Sequence, residues 1–351
     1  MQALSRRVTC RNGIEFETPL LVPGFSSMAM GPLPSQEVGK KPKPIACSMV
    51  HSEVLSGAID EVLLVSAYDI HYELLTDSKS FSRGFKFSRY AHQKFLMIDS
   101  GWNEKMANNS GGLFIDEQEQ PLPWEVIDYK KTIDALDPNV KAVVVSFDST
   151  EPYPKQIAKA QDFAGSHPQF AFTILLKPPK PSRFHKFEKL SQEDASNLRV
   201  FDIIGVTEKE LGDSILTRLV TLARFRSFLD EAEVSAPIHV FGGLDILYTP
   251  LLFAAGAEIF DGVGWLRYAY REGLPVHREA GALLDNPVDS RWMRALTTNS
   301  FQNLKAIGNL TSELRVFAHN KGDWSKIRHT GDLLRPIHET FEATLERYHG
   351  R

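Results

Sequence analysis

Eight short apolar runs, each rich in Val, Ile, Leu or Phe and bounded by Gly, Pro or Asp, restrict this chain to a narrow set of folds. They span Thr18 to Phe25, Val62 to Tyr68, Phe95 to Gly101, Ala142 to Asp148, Phe170 to Lys177, Val200 to Thr207, Pro237 to Gly243 and Glu258 to Trp265. Segments with helical spacing lie between most of them, among them Lys155 to Phe163, Leu211 to Ala232 and Ile246 to Ala255, so strands alternate with helices. Runs that are apolar at nearly every position suit strands buried on both faces, as in an all-parallel sheet under a helical coat. Eight such units predict an α/β fold, a closed (β/α)8 TIM barrel, with an open doubly wound sheet as the alternative. No GxGxxG or Walker A element follows the first run, so the nucleotide-cofactor form of that alternative has no support. Asn299 to His319 and Leu333 to Tyr348 read as closing helices. With no linker and no internal repeat, the expectation is a single barrel domain over residues 1–351, with 289–351 as its closing C-terminal helices.

An apolar share of 42% against a charged share of 24% is that of a soluble globular protein. No run reaches the roughly 18 apolar residues of a membrane span, and Met1 to Gly13 lacks an apolar segment of signal-peptide length. The expected setting is cytoplasmic, without a membrane partner. Only Cys10 and Cys47 are present, which excludes a disulfide framework and any site of three or four thiolates. No histidine pair has the i, i+4 spacing with a Glu between that marks a zinc helix, and no cofactor is expected. A net charge of -4 gives no global attraction to a polyanion, and a nucleic-acid partner would need local positive charge.

In a barrel the loops at the C-terminal strand ends build the active site. The residues there are Asp69, then Asp99-Ser100-Gly101, Asp148-Ser149-Thr150, Lys177, Gly205, Gly242-Gly243 and Asp261-Gly262. One aspartate in such a place commonly ends a strand or caps the next helix. Asp99, Asp148 and Asp261 together fit chemistry better. Two carboxylates facing one pocket divide labour as nucleophile at a sugar carbon and as general acid and base, the retaining glycosyl-transfer arrangement. Glycines nearby let a flat ligand lie against backbone amides.

These residues resemble the tRNA-guanine transglycosylase superfamily, the queuine and archaeosine tRNA-ribosyltransferases, which exchange a guanine in a nucleic acid for a 7-deazaguanine through a covalent intermediate. The family's Thr-Pro-x-Phe-x-Pro-Val-Gly is echoed by Thr18-Pro19-Leu20-Leu21-Val22-Pro23-Gly24, and its Asp-Ser-Gly-Gly by Asp99-Ser100-Gly101. Its Phe-Asp-Glu-Cys-Thr-Pro-Tyr-Pro appears as Phe147-Asp148-Ser149-Thr150-Glu151-Pro152-Tyr153-Pro154, and its Gly-x-Asp-x-Phe-Asp as Gly256-Ala257-Glu258-Ile259-Phe260-Asp261. Order and rough spacing agree over about residues 15 to 320. The resemblance implies that Asp261 is the nucleophile at the anomeric carbon and that Asp99 is the general acid and base. Asp148 would accept hydrogen bonds from the bound base, with Ser100, Trp102, Gly205, Gly242 and Gly243 completing the base site. The target nucleotide would have to be flipped out to reach such a pocket.

The chain also departs from the family. The family's structural zinc is held by Cys-x-Cys-x-x-Cys and by a histidine before Asn-Leu; here no cysteine follows Cys47, and Gln302 precedes Asn303-Leu304. The zinc is therefore expected to be absent, with Leu274 to Asp289 fixed by packing instead. Trp102 replaces the second glycine of Asp-Ser-Gly-Gly and Asn103 the stacking aromatic; Trp102 either takes over stacking or is a core residue. Leu175-Leu176 replaces paired glutamines and Ile204-Gly205-Val206 replaces Gly-Gly-Leu, which makes the pocket more apolar.

For the polymer, the cationic, proline-stiffened loop Lys177 to Lys186 offers Lys177, Lys180 and Arg183 as phosphate contacts, with an ordinary solvated loop as the plain alternative. Arg267 and Arg271 follow Asp261, where related enzymes contact the flanking nucleotides. Arg83, Lys86, Arg89 and Lys94 precede the third run and read as a solvated far face. Trp265 and Tyr268 either border the sugar or pack in the core. The expected activity is exchange of guanine for a preQ0- or preQ1-like 7-deazaguanine base, with DNA favoured slightly over tRNA. A catalytically silent partner subunit and a barrel hydrolase of free nucleosides are the alternatives, and a homodimer or hetero-oligomer is compatible with the chain.

Overall fold

Each apolar run forms a strand shorter than itself, because its last residues leave the ladder for a loop or a helix. The computed structural model describes residues 5–26, 59, 62–72, 94–102, 122–284 and 292–349. An N-terminal hairpin, β1 (Arg7–Thr9) and β2 (Glu15–Glu17), pairs antiparallel with Val8 opposite Phe16. The series then runs β3 (Leu20–Pro23), β4 (Val62–Ser66), β5 (Phe95–Asp99), β6 (Ala142–Val145), β7 (Ala171–Leu176), β8 (Ile203–Thr207), β9 (Ile238–Phe241) and β10 (Ile259–Gly262). These eight form one sheet alternating with helices, an α/β fold of the (β/α)8 TIM-barrel type. A second hairpin, β11 (Tyr268–Arg271) and β12 (Leu274–His277), follows. Neither hairpin, nor the helix Val126–Asp134, stands out in the sequence, since each is too short to show a period.

The chain divides into two compact units, one of Met1–Val22 with Asp148–Arg351 and one of Pro23–Phe147. In the first, β7 to β10 pair parallel in sequence order, and Leu20 at the start of β3 donates to the Glu258 carbonyl at 2.9 Å. Arg6 reinforces that junction through Nε to Glu258 Oε1 at 2.7 Å and a second guanidinium nitrogen to Oε2 at 2.9 Å. In the second, β4, β5 and β6 pair parallel. All four residues of β6 and all five of β4 are buried, as strands covered on both faces must be.

The helices begin where capping chemistry allows. Ser214 accepts from Thr217 N to start Ile215–Glu231, and Ser191 forms a capping box with Asp194. The expected closing helices are Trp292–His319 and Gly331–His349. No helix among the described residues is long and apolar enough to cross a membrane.

Candidate active site

The parallel register of β7 to β10 sets the site's rows. Leu175, Gly205, His239 and Ile259 are successive Cα partners. A strand repeats its facing every two residues, so Lys177, Thr207, Phe241 and Asp261 form the next row on the same face, at the C-terminal strand ends.

Asp261 is held through both its side chain and its backbone. Its Oδ1 accepts from His239 Nε2 at 3.0 Å and from the Gly242 amide at 3.1 Å, and its carbonyl accepts from Leu244 N at 2.9 Å. Gly242 reaches it with a φ of +72°, a left-handed conformation that glycine adopts without steric cost. Asp245 fixes the rest of this loop by accepting from Leu247 N and Tyr248 N. His239 is 0% exposed, and its Nδ1 is buried without a hydrogen-bond partner. The network therefore assigns the ring proton to Nε2, because a proton on Nδ1 would be an orphaned buried donor. Its ring stacks on Phe241 with centroids 3.8 Å apart.

Gly205, expected to offer its backbone to the base, is closely packed on its Cβ side. A Cβ there would lie 2.5 Å from Phe241 Cε2 and 3.2 Å from Thr173 Cγ2. The space over Gly205 belongs to the Phe241 ring. Gly243 is likewise enclosed, by Val240 and Leu252, whereas a Cβ on Gly242 would meet nothing within 4 Å. Of the three expected glycines, Gly242 is the one with open space beside it.

Lys177 also differs from its expected place on a phosphate track. Its ammonium sits 2.8 Å from Glu210 Oε1 and 3.4 Å from Asp148 Oδ1 and donates to Thr207 Oγ1 at 3.1 Å. Burial works against the charged amine, but the two carboxylates outweigh it and hold its pKa above the ordinary lysine value. Burial pushes the Glu210 carboxyl up, a shift that Lys177 opposes. Gln156 anchors the arrangement: its Nε2 donates to the Lys177 carbonyl at 2.8 Å, and its Oε1 accepts from Lys177 N at 2.9 Å. Asp148 and Lys177 thus act as a unit, a cation and an acceptor side by side. Beyond them His185 is buried against Tyr153, whose hydroxyl lies 3.0 Å from Nδ1, and burial pushes the imidazole down to about 3.

In the other unit, Asp99 closes β5 with its Oδ1 accepting from Gly101 N at 2.8 Å. Ser100 is buried, its Oγ accepting from Trp102 N at 3.3 Å and its carbonyl from Trp124 Nε1 at 2.9 Å. Gly101 has a φ of +74°, and a Cβ there would fall 2.5 Å from Tyr68 Cβ. Trp102 packs edge-on against Phe147, with centroids 5.7 Å apart. Asp69 lies in the short helix Ala67–His71 and is buried.

Among the polymer candidates, Arg267, Lys180 and Arg183 are exposed, with the Arg183 guanidinium over the Phe184 ring at 5.2 Å. Arg271 is turned inward: it donates to the Tyr270 carbonyl at 2.8 Å and to Asn299 Oδ1 at 2.7 Å. Trp265 is a buried core residue, while Tyr268 is exposed. Arg83, Lys86, Arg89 and Asn103 lie outside the described residues; Lys94 is exposed at the start of β5.

At the position before Asn303-Leu304, where the resemblance would put a zinc-binding histidine, the chain has an amide. Gln302 lines a cavity of about 190 Å³ with Tyr270, Lys305 and Glu313. Amide and phenol oxygens are a poor donor set for zinc, and the described residues contain no group of three or more His, Cys, Asp or Glu able to hold a metal. The hairpin β11–β12 is fixed by hydrogen bonds as well as packing. Asn303 donates to the carbonyls of Trp265 at 2.6 Å and Tyr268 at 2.7 Å, and its Oδ1 accepts from Tyr270 N at 2.7 Å.

His239, Gln156 and Glu210 escaped the sequence reading. Only His239 left a signal, a polar residue in phase with Phe241 inside an apolar run. No known protein-family model matches the chain, and no curated protein matches it.

Proposed function

We propose that this chain is a nucleic-acid guanine transglycosylase, which exchanges a guanine for a 7-deazaguanine base. The observation that carries the reading is Asp261: a carboxylate at the C-terminal end of a barrel strand, with Oδ1 held by two N–H donors and Oδ2 left to react. In the first step Oδ2 bonds to C1′ of the target nucleotide as the C1′–N9 bond breaks; its electron pair leaves on guanine, which takes a proton from Asp99. In the second, Asp99 accepts the proton of the incoming base, whose nitrogen attacks C1′ and releases the Asp261 carboxylate. Asp148 accepts from N–H groups of the base, next to a Lys177 ammonium able to donate to a carbonyl. The proposed polymer is DNA in preference to tRNA, on the loss of the zinc-ligand residues and the altered base-pocket motifs. Arg267, Lys180 and Arg183 are its exposed cationic contacts.

Radiolabelled guanine offered with duplex DNA and with tRNA tests both parts. Label enters DNA, a covalent protein–DNA adduct survives denaturation, and Asp261→Asn abolishes both. Label entering tRNA alone would sink the DNA preference, and no exchange on either polymer would sink the enzyme. The close pairing of Asp148 with Lys177 favours one competing reading, a catalytically silent partner subunit. Guanine binding without exchange would support that reading.

A further inference from the structure

We infer that His239 is the positioning residue of Asp261, a neutral imidazole that binds one carboxylate oxygen and so selects the other as the reacting atom. The inference rests on the proposed role of Asp261 for its kinetic consequence but not for its structural content.

The sequence places a histidine on the inner face of β9 one register step from β10, with Ile259 opposite His239 and Asp261 two residues beyond. Nothing dilutes the contact, since His239 is 0% exposed and its Nε2 lies 3.0 Å from Asp261 Oδ1. With Nδ1 buried and unpartnered, a second ring proton would have no acceptor, so the ring donates to Asp261 without neutralising it. An imidazolium would turn the carboxylate into half of an ion pair and weaken it as a nucleophile. A neutral Nε2–H orients it and leaves its charge in place.

The ring is itself held. Phe241 stacks on it at 3.8 Å, and Phe241 sits where it does because Gly205, the Cα partner of His239 on β8, leaves room for the phenyl edge. Gly205, Phe241, His239 and Asp261 form a chain of contacts in which each member fixes the next. The glycine expected to touch the base thereby acts on the nucleophile from behind.

Two measurements test this. Long-range ¹H–¹⁵N spectra of histidine-labelled protein, with the His239 signals assigned by their loss in His239→Gln, report the tautomer without reference to activity. A protonated Nε2 with a bare Nδ1 at neutral pH is expected, and an imidazolium or an Nδ1–H tautomer overturns the inference. Kinetically, His239→Phe keeps the ring stack and removes the donor, and kcat should fall about a hundredfold with KM little changed, the scale of a misplaced reacting group. His239→Gln, whose amide nitrogen can stand where Nε2 stood, should recover most of that loss. Full activity in His239→Phe refutes the positioning role while base exchange stands. A wild-type protein without exchange refutes the proposed reaction, and the tautomer is then judged by the spectra alone.

Discussion

Replacing Lys177 by methionine removes a cation from between two carboxylates. The side chains of Lys177, Asp148 and Glu210 are 12%, 8% and 24% exposed, so little solvent compensates the loss. At 2.8 and 3.4 Å, and an effective dielectric of about 20, each attraction amounts to about 5–6 kcal/mol. Desolvating the ammonium offsets several kcal/mol of their sum, and breaking a buried pair from one side costs about 3–5 kcal/mol. Since Glu210 retains some water, we expect Lys177→Met to lose about 3 kcal/mol near pH 8. The loss must depend on pH. Burial already raises the Glu210 carboxyl above its unfolded value, so the folded state binds the extra proton and stability falls as pH rises through the folded pKa. Without Lys177 that pKa rises further and the window widens upward, whereas at low pH the Glu210 carboxyl is neutral and the missing cation matters less. Urea unfolding at about pH 5 and about pH 8 should show a smaller deficit at the lower pH. An equal deficit at both, or one below about 1 kcal/mol at pH 8, would refute the argument that this lysine stabilises buried charge.

Two further substitutions probe the surroundings. Gly205→Ala puts a methyl group 2.5 Å from Phe241 Cε2 and should cost about 1–3 kcal/mol in thermal or urea unfolding, with slower adduct formation as Asp261 shifts; a neutral substitution would show that Phe241 has room to move. His185, held down to about 3 by burial, stays neutral in the fold while the unfolded chain takes up a proton near pH 6.5, so its contribution is present above that pH and lost as pH falls toward 3. His185→Phe, which suits the stack with Tyr153 and Phe187, should flatten the acid arm of the stability curve between those values, by on the order of 3–5 kcal/mol. An unchanged acid arm would mean that the imidazole gains a proton inside the fold.

The parts of this protein legible in the sequence are those that repeat. Eight buried strands betray themselves because apolar runs of that length have few other uses, and the helices Tyr153–Ser166 and Ile215–Glu231 follow from spacing. Asp261 stands out in the sequence as a carboxylate inside an apolar run, followed by glycines. His239 was hidden because its partner is 22 residues away and becomes a neighbour only through the β9–β10 register. Lys177 was misplaced for a related reason. A loop lysine beside prolines and basic residues looks solvated, and only the fold brings Glu210 and the loop after β6 to it. Gly205 shows the limit of reading glycine as ligand space, since a missing side chain can equally admit a neighbouring ring.

The junction of β3 with β10 has a consequence for how the protein is made. Leu20 takes its ladder partner from Glu258, and the same glutamate is gripped by Arg6, 252 residues earlier in the chain. A chain that has not yet reached β10 leaves this edge of β3 without its ladder partner, and contacts of such sequence separation form slowly. An unpaired strand edge invites other chains, so a polypeptide truncated before Glu258 would leave a sticky N-terminus instead of a nearly finished barrel. The strand that carries Asp261 is also the one that completes this pairing, which ties the assembly of the candidate site to the end of folding.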